Sequence, residues 1–362
     1  MVKLNWDNKE SDPRKINNYK KKLSISFIRF DSFPQNYISK APNEWYNSLY
    51  LGDNVPVTLE LLNHFEGKVK LIYIDPPFFS GANYHINISD DEHNYDSIAY
   101  SDKWKGDLDS YLQMLFHRIQ IFFKLLSNEG LIFVHLDYHA YHYVKIILDE
   151  IFGKNHFVND IVWYYYNKYS AGKNSLPRAH DNILVYSKSS KYTFNEIRIP
   201  REKPTKQLKR VMKDGILKNL KDEKGHVMYR IVTDKKMDDV WKIPCLQPAS
   251  KEWSGFPTQK HHKLLERIIK IGSNEGDIIA DFFCGSGTAL LMADRLNRRW
   301  IGCDISPYSI YITRKRLIDY RNSEKSKKVN QYPINFYSIA DQDNLKIINS
   351  GFFEKDLEIK RS

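Results

Sequence analysis

Apolar and polar positions follow two periods along this chain, and each change of period marks an element. Leu71-Ile72-Tyr73-Ile74, entered from Lys70, is a short continuous apolar run that reads as a buried strand. Pro76-Pro77 must end it, because neither supplies a backbone N–H. From 108 to 126 apolar residues recur at helical spacing (Leu108, Leu112, Leu115, Ile119, Phe122), and Gly130 leads into a second strand run over 131–136, closed by Asp137. A helix over 139–152 and a strand over 157–164 continue the pattern, and 180–186 reads as a further strand. Near the start, a short strand over 47–51 precedes a helical stretch over 57–65. Past Trp241 the alternation resumes: a helix carrying Leu264, Leu265, Ile268 and Ile269, a strand over 277–281, a helix over 289–296, a strand over 300–303 ending at Asp304, and a closing helix from Pro307. Strands alternating with helices predict crossover units and an α/β fold with a doubly wound, mostly parallel sheet.

The intervals between these elements divide the chain. Residues 1–45 form a basic arm with Lys20-Lys21-Lys22, 46–164 and 241–322 carry the two α/β halves, 165–240 is a charged insertion, and 323–362 is a polar tail. The insertion interleaves aromatics with cations, among them Lys173, Arg178, Arg198 and Arg201, and holds Pro200 and Pro204. Between Phe79 and Lys105 the spacing predicts a long loop, and loops of that length in compact domains are functional lids or disordered. Composition narrows the picture. With 362 residues, 42% of them hydrophobic, the chain can bury a full core, while no apolar run approaches the length of a membrane span. The first residues lack the apolar core of a signal peptide, and the three cysteines have neither zinc spacing nor a disulfide framework, so a cytoplasmic location is expected. A net charge of +11 favours a polyanionic partner, although a solvated basic surface needs none.

Two stretches carry candidate chemistry. At the tip of the first strand run, Asp75-Pro76-Pro77-Phe78 presents a carboxylate, a rigid carbonyl and an aromatic ring. Asp75 and the Pro76 carbonyl can each accept an N–H from an exocyclic amine while Phe78 stacks on the ring that carries it. An Asx-capped turn would explain the tripeptide equally well. The second stretch is Asp281-Phe282-Phe283-Cys284-Gly285-Ser286-Gly287-Thr288. Gly285 and Gly287 allow close approach of backbone to a ligand, and a helix N-terminus follows. A phosphate-binding loop would place lysine at Thr288, and a dinucleotide turn would need a third glycine at Leu290. Asp304, at the end of the next strand, can take the two hydroxyls of a ribose. Together these features predict a nucleoside cofactor without a bound pyrophosphate. His85 and His93 have no paired spacing, and no metal is expected.

These residues carry a resemblance. Asp75-Pro76-Pro77-Phe78, the 281–288 loop and Pro257-Thr258-Gln259-Lys260 resemble the catalytic, methionine-binding and carboxylate-binding motifs of amino-methylating DNA methyltransferases that use S-adenosylmethionine. Their order resembles the circularly permuted beta group found in type II and type III restriction-modification systems. The resemblance implies a Rossmann-like fold with 165–240 as target-recognition region, and double-stranded DNA as partner. It leaves room for a homodimer and for a cognate restriction endonuclease. It also implies that Asp281, Phe283, Gly285, Gly287 and Asp304 hold the cofactor, with Thr258 and Lys260 at a helix start taking its carboxylate. Asp53 would lie near the cofactor's adenine, or else serve as a plain helix N-cap. Asp137, in a His-Leu-Asp common to the family, either lines the pocket or is structural. Lys173, Arg178, Arg198 and Arg201 would hold DNA phosphates or read bases, though each is also accounted for by a solvated surface. Family members with Asp-Pro-Pro are mostly adenine-N6 enzymes, so N6 of a flipped adenine is the expected target. N4 of cytosine, an amide nitrogen of a protein, and a catalytically silent DNA-binding subunit are the alternatives.

Overall fold

In the computed structural model the described residues are 3–7, 9, 26–35, 37, 44–79, 83–89, 94–101, 107–168, 174–213, 215–323, 332–349 and 358–359, with the backbone alone at 83–89, 94–101, 342, 345, 349 and 358–359. In chain order the elements are β1 (Phe27–Phe33), β2 (Asn47–Leu51), α1 (Asn54–Phe65), β3 (Val69–Ile74), β4 (Asn83–Ser89), β5 (Asn94–Ser101), α2 (Leu108–Leu125), β6 (Leu126–Leu136), α3 (Tyr141–Phe152), β7 (Phe157–Tyr164) and β8 (His180–Ser187). There follow β9 (Arg198–Leu208), β10 (Arg210–Lys213), β11 (Ile216–Asn219), β12 (Tyr229–Lys236), β13 (Val240–Lys242), α4 (His262–Gly272), β14 (Ile278–Asp281), α5 (Thr288–Arg295), β15 (Arg299–Asp304), α6 (Pro307–Asn322), β16 (Ile334–Ile339) and α7 (Gln342–Asn349).

Ten strands form one sheet in the order β1-β16-β2-β15-β14-β3-β6-β8-β7-β13. Its centre, from β16 to β6, is parallel throughout, while β1 and β8 run antiparallel to their neighbours. Central strands buried on both faces need continuous apolar sequence, which is why Leu71, Ile72, Ile74, Leu131, Ile132, Phe133 and Val134 are all fully buried. Leu112, Leu115, Ile119 and Phe122, the predicted stripe of α2, pack into the same core.

Joining the two sequence halves is what brings the predicted motifs together. β14 lies beside β3 with Asp281 opposite Tyr73, so the end of the glycine-loop strand adjoins the strand that carries Asp75. β15 lies beyond β14, and β2 beyond that, with Asp304 opposite Leu51. Asp53, Asp304, Asp281, Asp75 and Asp137 therefore stand at or just past the carboxyl ends of five consecutive parallel strands, where ligands of doubly wound sheets bind.

Several boundaries differ from expectation. The polar tail contributes β16, which fills the sheet between β1 and β2 and buries Ile334 and Phe336. Within the basic arm, β1 forms a sheet edge, while Trp6 Nε1 donates to Gln113 Oε1 of α2 (3.0 Å) and Lys9 pairs with Glu150 of α3 (2.7 Å). Lys20-Lys21-Lys22 lies outside the described residues. Most of the stretch expected as a loop after Phe79 is an antiparallel pair, β4 with β5. The sequence of β4 alternates polar and apolar residues with period two, a strand signal that the acidic 90–92 interruption obscured.

The chain divides into two compact units, 195–239 and the remainder. The smaller is narrower than the 165–240 insertion, because β8 is an inner strand of the main sheet. By itself it comprises the antiparallel pairs β9 with β12 and β10 with β11.

Candidate active site

A cleft opens at the carboxyl ends of β3 and β14. It is lined by Asp75, Pro76, Pro77, Phe78, Thr258, Lys260, Asp281, Phe283, Gly285 and Asp304, so all but two of the expected catalytic and cofactor positions meet in one place. The exceptions are Gly287, which packs against Thr313 behind the loop, and Asp53, which lines an adjoining cleft with Gly52 and Asp341; Ile305, 66% exposed, borders both clefts.

The glycine loop is held from behind. Gly285 N–H donates to Asp304 Oδ2 (2.8 Å), Thr313 Oγ1 of α6 donates to the Gly285 carbonyl (2.9 Å), and Arg316 donates to the Ser286 carbonyl and to Thr288 Oγ1. Gly287 sits at φ +71°, and a Cβ there would lie 2.4 Å from Thr313 Cγ2. This glycine is thus required by packing against α6 as well as by the turn, a reason that approach to a ligand does not supply. Asp304 accepts from Ser306 N as well (2.9 Å); burial raises its pKa and these backbone donors oppose the rise. Asp281 is 2% exposed and accepts from Phe283 N (3.1 Å). Burial first, then the nearby Asp75 and Asp304 charges, push its pKa well above the ordinary carboxylate value.

Thr258 and Lys260 do not begin the helix. Thr258 lies in a turn at φ +66°, a conformation uncommon for a β-branched residue, and α4 starts later with His261 as N-cap, its Nδ1 accepting from Lys263 N. Lys260 Nζ is 2.7 Å from Asp75 Oδ2 and lies over the Phe78 ring, 5.1 Å from its centroid. In this structure the lysine expected at the cofactor's carboxylate therefore grips the carboxylate of Asp75. Burial alone would lower its pKa, but Asp75 and Asp181 hold it above the usual lysine value.

Asp53 takes its capping role, accepting from Val55 N at the start of α1 (2.7 Å). Both of its oxygens also accept from Arg118 Nη2 (3.2 and 3.0 Å), while Arg118 Nε donates to Asn54 Oδ1 (2.6 Å) and Asn54 Nδ2 to the Phe282 carbonyl (2.8 Å). This chain of bonds fixes α1 to the glycine-loop strand. Nothing in the sequence near Arg118 marked it, since its partners come from elements far apart along the chain. Asp137 bonds the backbone N and the ring of His139, and burial raises its pKa.

Beneath Asp75 lies a group that sequence reasoning treated only as part of a motif. His135 is 0% exposed; its Nδ1 is 2.9 Å from Tyr73 Oη and 3.7 Å from Asp75 Oδ1, and its Nε2 is 3.4 Å from Asp181 Oδ2 of β8. Burial works to raise the Asp181 pKa, but His135, Lys260 and Tyr165 hold it below the ordinary value.

The expected DNA contacts are dispersed. Arg178 stacks over Tyr138, 3.7 Å from the ring centroid. In the small unit Arg198 is paired with Asp234 (2.8 Å) and Glu196 (2.9 Å), and Arg201 Nε donates to the Asp234 carbonyl (2.8 Å). Lys173 lies outside the described residues. Among the described residues one His/Glu cluster has metal-compatible spacing, Glu252 with His261 and His262, and there the His262 Nδ1 is 2.6 Å from Glu252 Oε2.

Known proteins are similar to this chain. The type II methyltransferase M.EcaI of Enterobacter cloacae is 27% identical over 344 residues, covering 78% of this chain and 73% of the relative. The DNA adenine methyltransferase YhdJ of Escherichia coli is 28% identical over 251 residues, covering 69% and 76%. Among solved structures, the PvuII DNA methyltransferase (cytosine-N4-specific) superposes with a TM-score of 0.51 at 17% identity, covering 86% of this chain and 94% of that one, which establishes a common fold. The N6_N4_Mtase family, described as DNA methylase, matches residues 69–315, a span that runs from β3 through the glycine loop and into α6; the chain belongs to this DNA methyltransferase family.

Proposed function

We propose that the protein transfers the methyl group of S-adenosylmethionine to N6 of an adenine flipped out of a specific double-stranded DNA site. The observation that carries this reading is the adjacency of Asp75-Pro76-Pro77-Phe78 to the glycine loop and Asp304 in one cleft. When bound, the cofactor supplies an electrophilic sulfonium methyl. The cleft fits it in kind: Asp304 offers a carboxylate for ribose hydroxyls, Gly285 offers a close-approach backbone, and Lys260 is a cation within the same walls.

An aromatic amine is a poor nucleophile, because its lone pair is delocalised into the ring. Asp75 and the Pro76 carbonyl, accepting the two amine N–H bonds, favour a pyramidal nitrogen with its lone pair aimed away from them. Asp75 Oδ2 has lone pairs enough to accept from the amine and from Lys260 together. Phe78 stacks on the extruded base, recovering ~1–3 kcal/mol of the unstacking cost. The paired strands of the 195–239 unit are two-stranded ribbons with exposed Lys203, Lys206 and Arg210, a shape that enters a major groove. The adenine choice is supported by the Asp-Pro-Pro sequence and by the similarity to a DNA adenine methyltransferase. The setting we read for it is a restriction-modification or related system, a reading supported by the similarity to a type II methyltransferase.

The test is incubation with S-adenosylmethionine and unmethylated genomic DNA, followed by nucleoside digestion and mass spectrometry, with Asp75→Ala alongside. N6-methyladenine from wild type only is expected. N4-methylcytosine would overturn the choice of base, and full turnover by Asp75→Ala would overturn the site.

A further inference from the structure

Methylation of an amine leaves a proton to dispose of. The amine nitrogen forms its bond to the methyl carbon as the carbon–sulfur bond breaks, the pair going to sulfur, and the nitrogen is left cationic with one N–H to lose. Asp75 is the carboxylate in reach, and Lys260 sits on its outer oxygen at 2.7 Å. What lies on the inner side is unusual. Asp75 Oδ1 and His135 Nε2 are both buried atoms without a hydrogen-bond partner.

The tautomer of His135 follows from its surroundings. Tyr73 is 2% exposed, and burial, with Asp75 adding to it, pushes its pKa well up, so it remains a phenol with a proton to place. His135 Nδ1, at 2.9 Å, is its acceptor. Nδ1 then carries a lone pair, and the ring proton is on Nε2, directed at Asp181 Oδ2 (3.4 Å). Asp75 Oδ1, 3.7 Å from Nδ1, consequently faces another acceptor. Two buried acceptors set against each other are unfavourable until a proton joins them. One additional proton makes His135 an imidazolium between two carboxylates, Asp75 on one side and Asp181 on the other. The rest of its surround is the Tyr73 hydroxyl and the uncharged rings of Phe78 and Trp163 (5.8 and 5.4 Å).

We propose that Asp75, His135 and Asp181 form a proton relay, in which His135 takes from Asp75 the proton that the amine releases after methyl transfer. The nitrogen gives its proton to Asp75, the N–H pair returning to nitrogen. A half-turn of the carboxyl group presents the O–H to His135 Nδ1 and returns an anionic oxygen to Lys260. The O–H bond breaks as the Nδ1–H bond forms, and Tyr73 changes from donor to acceptor. Asp181 holds the ring tautomer beforehand and stabilises the imidazolium afterwards, the role a buried carboxylate plays behind histidine in hydrolase triads. The proton returns to water through Asp75 once the methylated base departs. His135 and Asp181 thus act through Asp75, as positioning and proton-holding residues that touch neither base nor cofactor.

This inference rests on the amine-methylation reading but not on which base is methylated. Its test combines single-turnover methyl transfer as a function of pH with nitrogen-15 NMR of the histidine rings. His135→Asn and Asp181→Asn are compared with wild type, and equilibrium cofactor binding shows that each variant is folded. In wild type the pH–rate profile of transfer is expected to carry an acid limb that depends on His135. His135→Asn loses that limb and is slowed about 10²–10⁴-fold, with cofactor affinity unchanged. Asp181→Asn is slowed in the same sense. An unaltered rate with the acid limb intact in both variants would overturn the relay. NMR is expected to show His135 as the Nε2–H tautomer in the resting protein, and an Nδ1–H tautomer would overturn the relay even if wild type methylated no DNA, an outcome that by itself refutes the function and not the geometry.

Discussion

Replacing Lys260 with methionine tests whether its partner is Asp75, as the structure has it. The ammonium and carboxylate lie 2.7 Å apart, with only 11% and 18% of their side-chain surfaces exposed. At an effective dielectric constant of about 20 the gross attraction is about 6 kcal/mol, and most of it offsets the desolvation of the two ions. Methionine fills a similar volume but leaves Asp75 as an uncompensated charge beside Asp181 and Asp281. Breaking a buried pair from one side typically costs about 3–5 kcal/mol, and the residual exposure of Asp75 argues for the lower end, about 3 kcal/mol. Removing the stranded charge should return most of that loss, so Lys260→Met/Asp75→Asn is expected to be about 2 kcal/mol more stable than Lys260→Met alone. Urea unfolding at neutral pH, completed as a double-mutant cycle with Asp75→Asn, measures both. Stability of Lys260→Met within about 0.5 kcal/mol of wild type, or no recovery in the double variant, would refute the reasoning.

Two other perturbations follow from the same region. Asp281 has a raised pKa, so between the ordinary value of 3.8 and that raised value the native state binds more protons than the unfolded chain, and this residue subtracts stability as pH rises through the window. Asp281→Asn, which keeps an acceptor for Phe283 N, should therefore melt higher than wild type at neutral pH, with the advantage vanishing below 3.8; thermal scans at several pH values check it, and an equal or lower melting temperature at neutrality counts against the assignment. Gly287→Ala brings a Cβ to 2.4 Å from Thr313 and holds alanine at φ +71°, so a loss of about 2–4 kcal/mol is expected by chemical unfolding. Thr313→Ser, which removes the clashing methyl but retains the hydroxyl bonded to Gly285, should recover part of it; no recovery would show that the methyl is not the source of the cost.

The acid-tipped strands were legible in sequence because a parallel strand buried on both faces must be continuously apolar, and a carboxylate or proline at its end stands out. Asp75, Asp281 and Asp304 were found that way, and their adjacency followed from the rule that such sheets bind at their carboxyl edge. The partner of Lys260 was not legible: a long flexible cation reaches whichever carboxylate the fold presents. The start of α4 was placed early because the expected cap was Thr258, whereas the chain uses His261, a residue type outside the usual capping set. β16 escaped notice because Ile334–Ile339 is a short apolar run following a polar stretch, and only its two neighbours in the sheet show that it is interior. His135 lies inside the apolar run of β6, where sequence offers no sign that a polar side chain will meet two carboxylates contributed by other strands.

β3 takes one hydrogen-bonded neighbour, β6, from nearby sequence, and the other, β14, from more than half a chain further on. During synthesis, then, the strand that ends in Asp75 waits with one side unpaired while everything up to β14 is made. An unpaired apolar strand is a template for association with other chains, and loop closure over such a distance is slow. Yield of active protein should accordingly depend on how nascent chains are spaced and shielded, and a truncation that stops before β14 should be recovered as aggregate, although it contains every residue of the Asp-Pro-Pro-Phe tip.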